Sequence, residues 1–177
     1  MSADFFPLLY VAGLLILLGT GGFFIFRQVL KTRRIESTFN RLQTKLNREK
    51  GTALECYELG SILLDKRLYS QAIVQFQKAI KLGKVDDDAL AAIYNALGFA
   101  YFAQAQYDLA MKQYKQAIQL APQYVTAWNN LGHAYERKQL TQKALEAYEQ
   151  AMACEPNNDT AKRRAAALKK RLAPSAS

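Results

Sequence analysis

The side chains with reactive chemistry are few and scattered. His133 is the single histidine of the 177-residue chain, so a Ser-His-Asp or Cys-His relay would have to converge on that one imidazole. A transition-metal site needs about four clustered ligands, more than His133 and the dispersed carboxylates supply. Cys56 and Cys154 lie far apart, outside any CxxC or Cys/His spacing, and read as helix-packing residues. Asp86-Asp87-Asp88 puts three carboxylates in a row, without the alternating ligands of a calcium loop. It suits a loop and the cap of a following helix. No glycine-rich phosphate loop is present. The chain therefore reads as a non-enzyme with no cofactor and no metal. What remains is binding chemistry, offered by amides and aromatic rings such as Asn95, Phe99 and Asn129.

The elements that position those side chains announce themselves by repetition. Tyr94, Leu97, Gly98, Tyr101, Ala110, Tyr114, Ala117 and Pro122 recur as Trp128, Leu131, Gly132, Tyr135, Ala144, Tyr148, Ala151 and Pro156, each displaced by 34 residues. Large residues at steps of three and four line one helix face. A mid-helix glycine costs about 1 kcal/mol relative to alanine, so Gly98 and Gly132 make sense where a neighbouring helix approaches closely. Ala110 and Ala144 offer the same close contact on the second helix of each pair. Pro122 and Pro156 end those second helices, because proline lacks the backbone N–H. A degraded copy comes first, with Cys56, Leu59, Gly60, Leu63, Ala72, Phe76 and Ala79 in the matching positions. It is offset by 38 residues, and the four additional residues are expected as a loop at Gly83–Asp88.

This pattern resembles the tetratricopeptide repeat (TPR). The resemblance implies an all-α superhelical solenoid of three helix–turn–helix repeats over 53–158 (53–86, 91–124 and 125–158); the flanking residues add a C-terminal capping helix and one transmembrane helix in front. Units of this kind share a core with their neighbours and leave a curved inner surface free to bind. In such arrays the groove is lined mainly by the first helix of each pair. The implied groove residues are Leu54, Tyr57, Ser61 and Leu64 in the first repeat, and Ala92, Asn95, Phe99 and Phe102 in the second. Thr126, Asn129, His133 and Glu136 complete the set in the third. This mixture suits an extended or helical peptide with apolar anchors and some amide hydrogen bonds. Chaperone-binding TPR domains grip a terminal carboxylate with a Lys/Asn/Asn/Lys/Arg clamp. Tyr57, Ser61, Ala96, Thr126 and Asn130 stand at the matching positions here, which disfavours an Hsp70 or Hsp90 tail.

The flanks are of different character. Residues 5–26 carry no charged side chain. As a helix they would span about 33 Å, enough for a hydrocarbon core of about 30 Å. A positively charged leading segment and a small-residue cleavage site are both missing, so an uncleaved anchor over 1–27 is expected. Arg27, Lys31, Arg33 and Arg34 follow the apolar stretch, and no Lys or Arg precedes it. These four are the expected membrane-surface residues, with the repeats on the cytoplasmic or stromal side. Residues 28–52 read as a basic amphipathic helix with Ile35, Phe39, Leu42 and Leu46 on one stripe. The stripe suits either anionic headgroups or the first repeat. Asn157-Asn158-Asp159 offer caps for a helix over Ala161–Leu172 within the basic segment 159–177. The net charge of +9 sits at these two ends, because residues 51–158 carry ten basic against eleven acidic side chains.

The layout as a whole is similar to the membrane-anchored photosystem I assembly or stability proteins of cyanobacteria and plastids. It combines a short anchor, a basic juxtamembrane helix, three repeats and a basic tail. That likeness implies a single-pass thylakoid protein whose partners are photosystem I subunits or assembly intermediates, with no small-molecule substrate. Two other readings stand beside it. One is a generic anchored adaptor in secretion, envelope or import machinery. The other is a binder of anionic lipid or nucleic acid through the basic ends, although no base-reading motif accompanies the charge.

Overall fold

Helical periodicity interrupted by turn residues yields eight α-helices among the described residues, 5–49 and 51–172, of the computed structural model. The tail from 173 lies outside them. The chain divides into two compact units, one through Lys45 and one from Leu46 onward.

The first unit is the body of α1 (Phe5–Arg48), a 44-residue helix. No break separates the apolar stretch from the basic one, because the sequence from Phe23 to Arg48 contains neither glycine nor proline. The expected boundary at 27/28 is therefore a change in composition within one helix. At about 1.5 Å per residue α1 is about 66 Å long, roughly twice a hydrocarbon core. Its apolar side chains are uncovered: Tyr10, Leu15, Ile16, Phe24 and Ile25 are all exposed. By length and composition the helix is able to cross a membrane. Thr20 resolves its hydroxyl inside this apolar surface by donating to the carbonyls of Ile16 and Leu17, both at 2.9 Å. Arg27, Lys31, Arg33 and Arg34 are exposed just beyond it. Exposure falls only near the end, where Phe39 is half-buried and Leu42 fully buried.

The second unit is three helix pairs and a cap. The pairs are α2 (Ala53–Asp65) with α3 (Tyr69–Leu82), α4 (Asp87–Ala103) with α5 (Tyr107–Leu120), and α6 (Val125–Arg137) with α7 (Thr141–Cys154). The cap is α8 (Asp159–Leu172). Thr52 opens the array with a capping box: Glu55 N–H donates to the Thr52 hydroxyl at 3.2 Å, and Thr52 N–H to the Glu55 carboxylate at 3.0 Å.

Each pair is closed by the same turn. Leu68, Gln106 and Leu140 N–H donate to the carbonyls of Leu63, Tyr101 and Tyr135 at 2.8–3.0 Å. Arg67, Ala105 and Gln139 donate to Leu64, Phe102 and Glu136 at 2.9 Å. This is the two-bond C-terminal motif that requires a left-handed residue. Arg67, Ala105 and Gln139 occupy it at φ of 59–60°, without a glycine.

Within each pair an aromatic ring of the second helix lies on a glycine of the first. A Cβ placed on Gly60 would sit 2.6 Å from the Phe76 ring, one on Gly98 2.6 Å from Tyr114, and one on Gly132 2.9 Å from Tyr148. The three rings are essentially buried. Alanines complete the seam, with Ala72, Ala79, Ala110, Ala117, Ala144 and Ala151 inaccessible to solvent.

The four additional residues between the first two repeats do not form the expected loop. They lengthen α4, which has 17 residues against 13 in α2 and 13 in α6. The reason is the aspartate run. Asp86 caps α4 by accepting from Ala89 N–H at 2.7 Å, and Asp87 and Asp88 fall in the first turn, where the positive end of the helix favours carboxylates. The first helix of the second pair thus starts at Asp87, a turn ahead of residue 91. The C-terminal cap helix starts at Asp159, two residues ahead of the expected Ala161. Ala161, Ala165 and Leu168 are buried, while Leu172 stays exposed.

Two glycine exchanges should move stability in opposite directions. Gly98→Ala should destabilise by about 1–3 kcal/mol, because the buried Tyr114 ring has nowhere to go. Ala105→Gly should stabilise by about 1 kcal/mol, by relieving a left-handed alanine. Urea denaturation followed by circular dichroism reads both. Equal signs would contradict the assigned geometry.

Candidate functional site

α2, α4 and α6 are successive neighbours as well as partners of their own second helices. They therefore present one continuous inner surface, with α8 packed on α7 as a further first helix would be. The shift of 34 carries Asn130 to Arg164.

The expected groove residues take distinct parts. Leu54 and Phe99 are the exposed apolar pair, at 55% and 44%. Thr126 is exposed beside them in kind, and Leu64 and Ala92 are half-buried. Tyr57 is half-buried with its ring 5.9 Å from that of Phe76. Ser61 turns inward on its own helix, donating to the Tyr57 carbonyl at 2.9 Å. Phe102 is packed: its ring centroid lies 4.7 Å from His133 and 5.3 Å from Tyr107, and Arg137 covers Tyr107 at 5.3 Å. Phe99 is thus the accessible ring of the pair, and Phe102 part of the wall. Ala92 also borders a cleft of about 490 Å³ with Asp88, Leu120, Pro122 and Tyr124.

The asparagines are organised by a contact that the repeat duplicates. Asn95 donates to the Tyr124 hydroxyl at 3.4 Å, and Asn129 donates to the Asn158 side-chain carbonyl at 3.2 Å. Donor and acceptor are each displaced by 34 residues between the two cases. Asn130 donates to Asn95 Oδ1 at 2.9 Å, and Asn158 accepts in addition from Ala161 N–H at 2.9 Å, capping α8. These bonds fix the amide planes of the inner face before any partner arrives. Tyr124, Asn130, Asn158 and Arg164 are the members that groove positions alone did not select. The signal for Tyr124 and Asn158 is present in the sequence, since each stands two residues after a repeat-ending proline.

The third-repeat end is charged but internally matched. Glu136 accepts from the Tyr148 hydroxyl at 2.6 Å and pairs with Arg164 at 3.5 Å. Both of its oxygens are engaged, so Glu136 anchors α8 and is no free contact residue. Burial, then the contact with Glu136, pushes the Tyr148 phenol far up. His133 is held below its ordinary value of 6.5, first by burial and then by Arg164, with Arg137 adding to this and Glu136 opposing it. The imidazole is neutral at physiological pH, and it offers hydrogen bonding without charge.

No groups of three or more metal-ligating side chains occur among the described residues. Cys56 is buried, and burial raises its thiol. Cys154 directs its sulfur to the Pro122 carbonyl at 3.6 Å. The inner face is therefore a fixed, nearly neutral surface of amides and rings, able to hold polypeptide.

Models of TPR and tetratricopeptide repeats match residues 56–82, 98–139 and 125–158. Among solved structures, the Arabidopsis OM64 TPR domain superposes with a TM-score of 0.63 at 22% identity, covering 68% of this chain and 96% of that one. MamA gives 0.65 at 25%, covering 77% and 75%. Relatives in sequence are plastid-type. A tetratricopeptide repeat domain-containing protein, PYG7, chloroplastic, from Arabidopsis thaliana is 41% identical over 92% of this chain, which spans only 54% of that relative's length. The ycf37 protein of Guillardia theta is 39% identical over 70% of each chain. That of Cyanophora paradoxa is 35% identical over 80% of this chain and 82% of its own. The chain thus belongs to the family of tetratricopeptide repeat proteins that unites ycf37 and chloroplastic PYG7.

Proposed function

We propose that this protein is a single-pass membrane-anchored scaffold that assists the assembly or stability of photosystem I. Its inner face would hold a segment of a photosystem I subunit or assembly intermediate. The observation that carries this reading is the extent of the plastid-type kinship. An alignment over 163 residues, 92% of the chain, must include most of α1 as well as the repeats. The apolar helix and the groove are then one functional unit, shared with a chloroplastic relative. The exposed apolar face of α1 supports a membrane location. The basic residues Arg27, Lys31, Arg33 and Arg34 support a cytoplasmic or stromal side for the repeats, and a thylakoid setting follows from the client.

Confinement to a membrane surface raises the effective concentration of a membrane-bound client without any new contact. A modest groove affinity then suffices to hold a client during assembly and to release it afterwards. Leu54 and Phe99 are the natural apolar anchors, because they are exposed on the inner first helices while their neighbours are packed. Asn95 and Asn129, held by Tyr124 and Asn158, present oriented amides to a peptide backbone. At the positions of the carboxylate clamp this chain has Tyr57, Ser61, Ala96, Thr126 and Asn130, so an internal segment fits better than a free acidic C-terminus.

Two outcomes test this reading. Leu54→Ser with Phe99→Ser should reduce co-purification of photosystem I subunits from native membranes by about tenfold, with helicity unchanged because both side chains are exposed. Capture that survives the substitutions, or that vanishes in parallel with rising salt as a purely electrostatic contact does, would overturn it. The second concerns acidity. His133 has a lowered folded value, so its contribution to stability is fully present above about pH 6.5 and is lost as pH falls through the folded value. The decline in stability between neutral and mildly acidic pH should be smaller in His133→Gln than in the parent protein, measured by thermal denaturation across that range. An identical decline would show that the imidazole is not held neutral by its surroundings.

A further inference from the structure

We propose that the outer face carries a second binding surface: two repeat-related clefts that take an acidic protein segment bearing apolar or aromatic side chains. This goes beyond the groove reading and does not rest on it. One cleft, of about 550 Å³, lies between α3 and α5 over Tyr94, Leu97 and Tyr101. The other, of about 700 Å³, lies between α5 and α7 over Trp128, Leu131 and Tyr135. The floors are related by the shift of 34, so the clefts are one structural feature built twice.

Their rims carry unbalanced charge. Lys81 and Lys112 border the first cleft, Lys115 and Lys143 the second, and Glu146 is the one carboxylate lining either. Among the described residues none of these four lysines is paired with a carboxylate. Lys115 instead stands 5.7 Å over the Tyr135 ring. At the corresponding position of the first cleft Gln77 donates to the Tyr101 hydroxyl at 3.0 Å, a neutral bond that leaves Lys81 and Lys112 unpaired, and beyond the second cleft Lys169 pairs with Glu149 at 2.8 Å. Gln77, Lys115 and Glu149 correspond, as do Tyr101, Tyr135 and Lys169. The third joint is thus closed by an internal ion pair, and the open, lysine-rimmed surface is bounded to two clefts.

Charge complementarity selects an acidic occupant. The recessed aromatic floors, a repeat apart, call for side chains at fixed separation, and the glutamines on both rims (Gln113 and Gln116, Gln119 and Gln150) match the hydrogen bonding of peptide groups. A bilayer surface offers charge but neither of these. With the inner face engaged, such a surface would let one scaffold hold two segments at once.

Trp128 is the only tryptophan of the chain and lines the second cleft, so its fluorescence reports occupancy directly. The full-length protein in neutral-lipid nanodiscs is titrated with synthetic tryptophan-free peptides, rich in glutamate and carrying two phenylalanines at graded separations. At least one peptide should give a saturable change. Its affinity should fall about tenfold or more with Lys112→Glu and Lys115→Glu, and remain unchanged with Phe99→Ser on the inner face. The proposal fails if no peptide of the series moves the signal, or if the charge-reversed protein binds equally well. It fails likewise if phosphatidylglycerol vesicles move the signal where the peptides do not.

Discussion

The whole array depends on how closely two helices of a pair approach. Phe76, Tyr114 and Tyr148 each pack so close to a glycine that no room is left for a methyl group. This contact sets the distance within a pair, and the alanine seam repeats it along the helix. Because packed interiors have near-crystalline density, the spacing is a property of residue volumes and does not drift. A fixed spacing within pairs makes successive pairs superposable, so the same contacts recur 38 residues on from the first pair to the second and 34 from the second to the third. The inner amide bonds and the outer clefts are both consequences: each is a single joint written more than once.

Repetition also shows where the joints have diverged. The position held by Gln77 against Tyr101 becomes Lys115 over Tyr135, and then Glu149 with Lys169. A neutral bond, a cation over a ring and an ion pair follow one another along the chain. The last of these serves α8, whose outer side must meet water in place of a further repeat. Glu136 makes the corresponding adjustment on the inner side, bonding Tyr148 and Arg164 together. The cap is thus recognised by charge on both faces, which explains how a helix rich in lysine and arginine docks on a largely apolar stack.

Much of this was legible in the sequence. The close helix approach at the glycines and the helix pairs follow from spacing, since a period of 34 with Leu-Gly and Pro leaves little choice of fold; that a ring meets each glycine is seen only in the structure. The capping role of Asp86 was also readable. What was not readable is how side chains divide between wall and surface. Phe99 and Phe102 are equivalent by step, yet Phe102 packs on His133 while Phe99 stays open, because the imidazole arrives from the next repeat. Three aspartates in a row suit a loop and a helix cap equally, so the place of the four-residue insertion is not legible from them. At a helix start the same carboxylates are favourable, and α4 simply began a turn earlier. The continuity of α1 was hidden by composition, since a change from apolar to basic residues has no backbone consequence.

In the proposed function a membrane-held scaffold grips a photosystem I client on its inner face. Placing a photoreactive amino acid at position 99 of the full-length protein, irradiating native thylakoid membranes and identifying the adducts by mass spectrometry tests it most directly. The account predicts adducts to photosystem I subunits or their assembly intermediates from that position. Adducts to lipid alone, or none at all while outer-face positions crosslink freely, would contradict it.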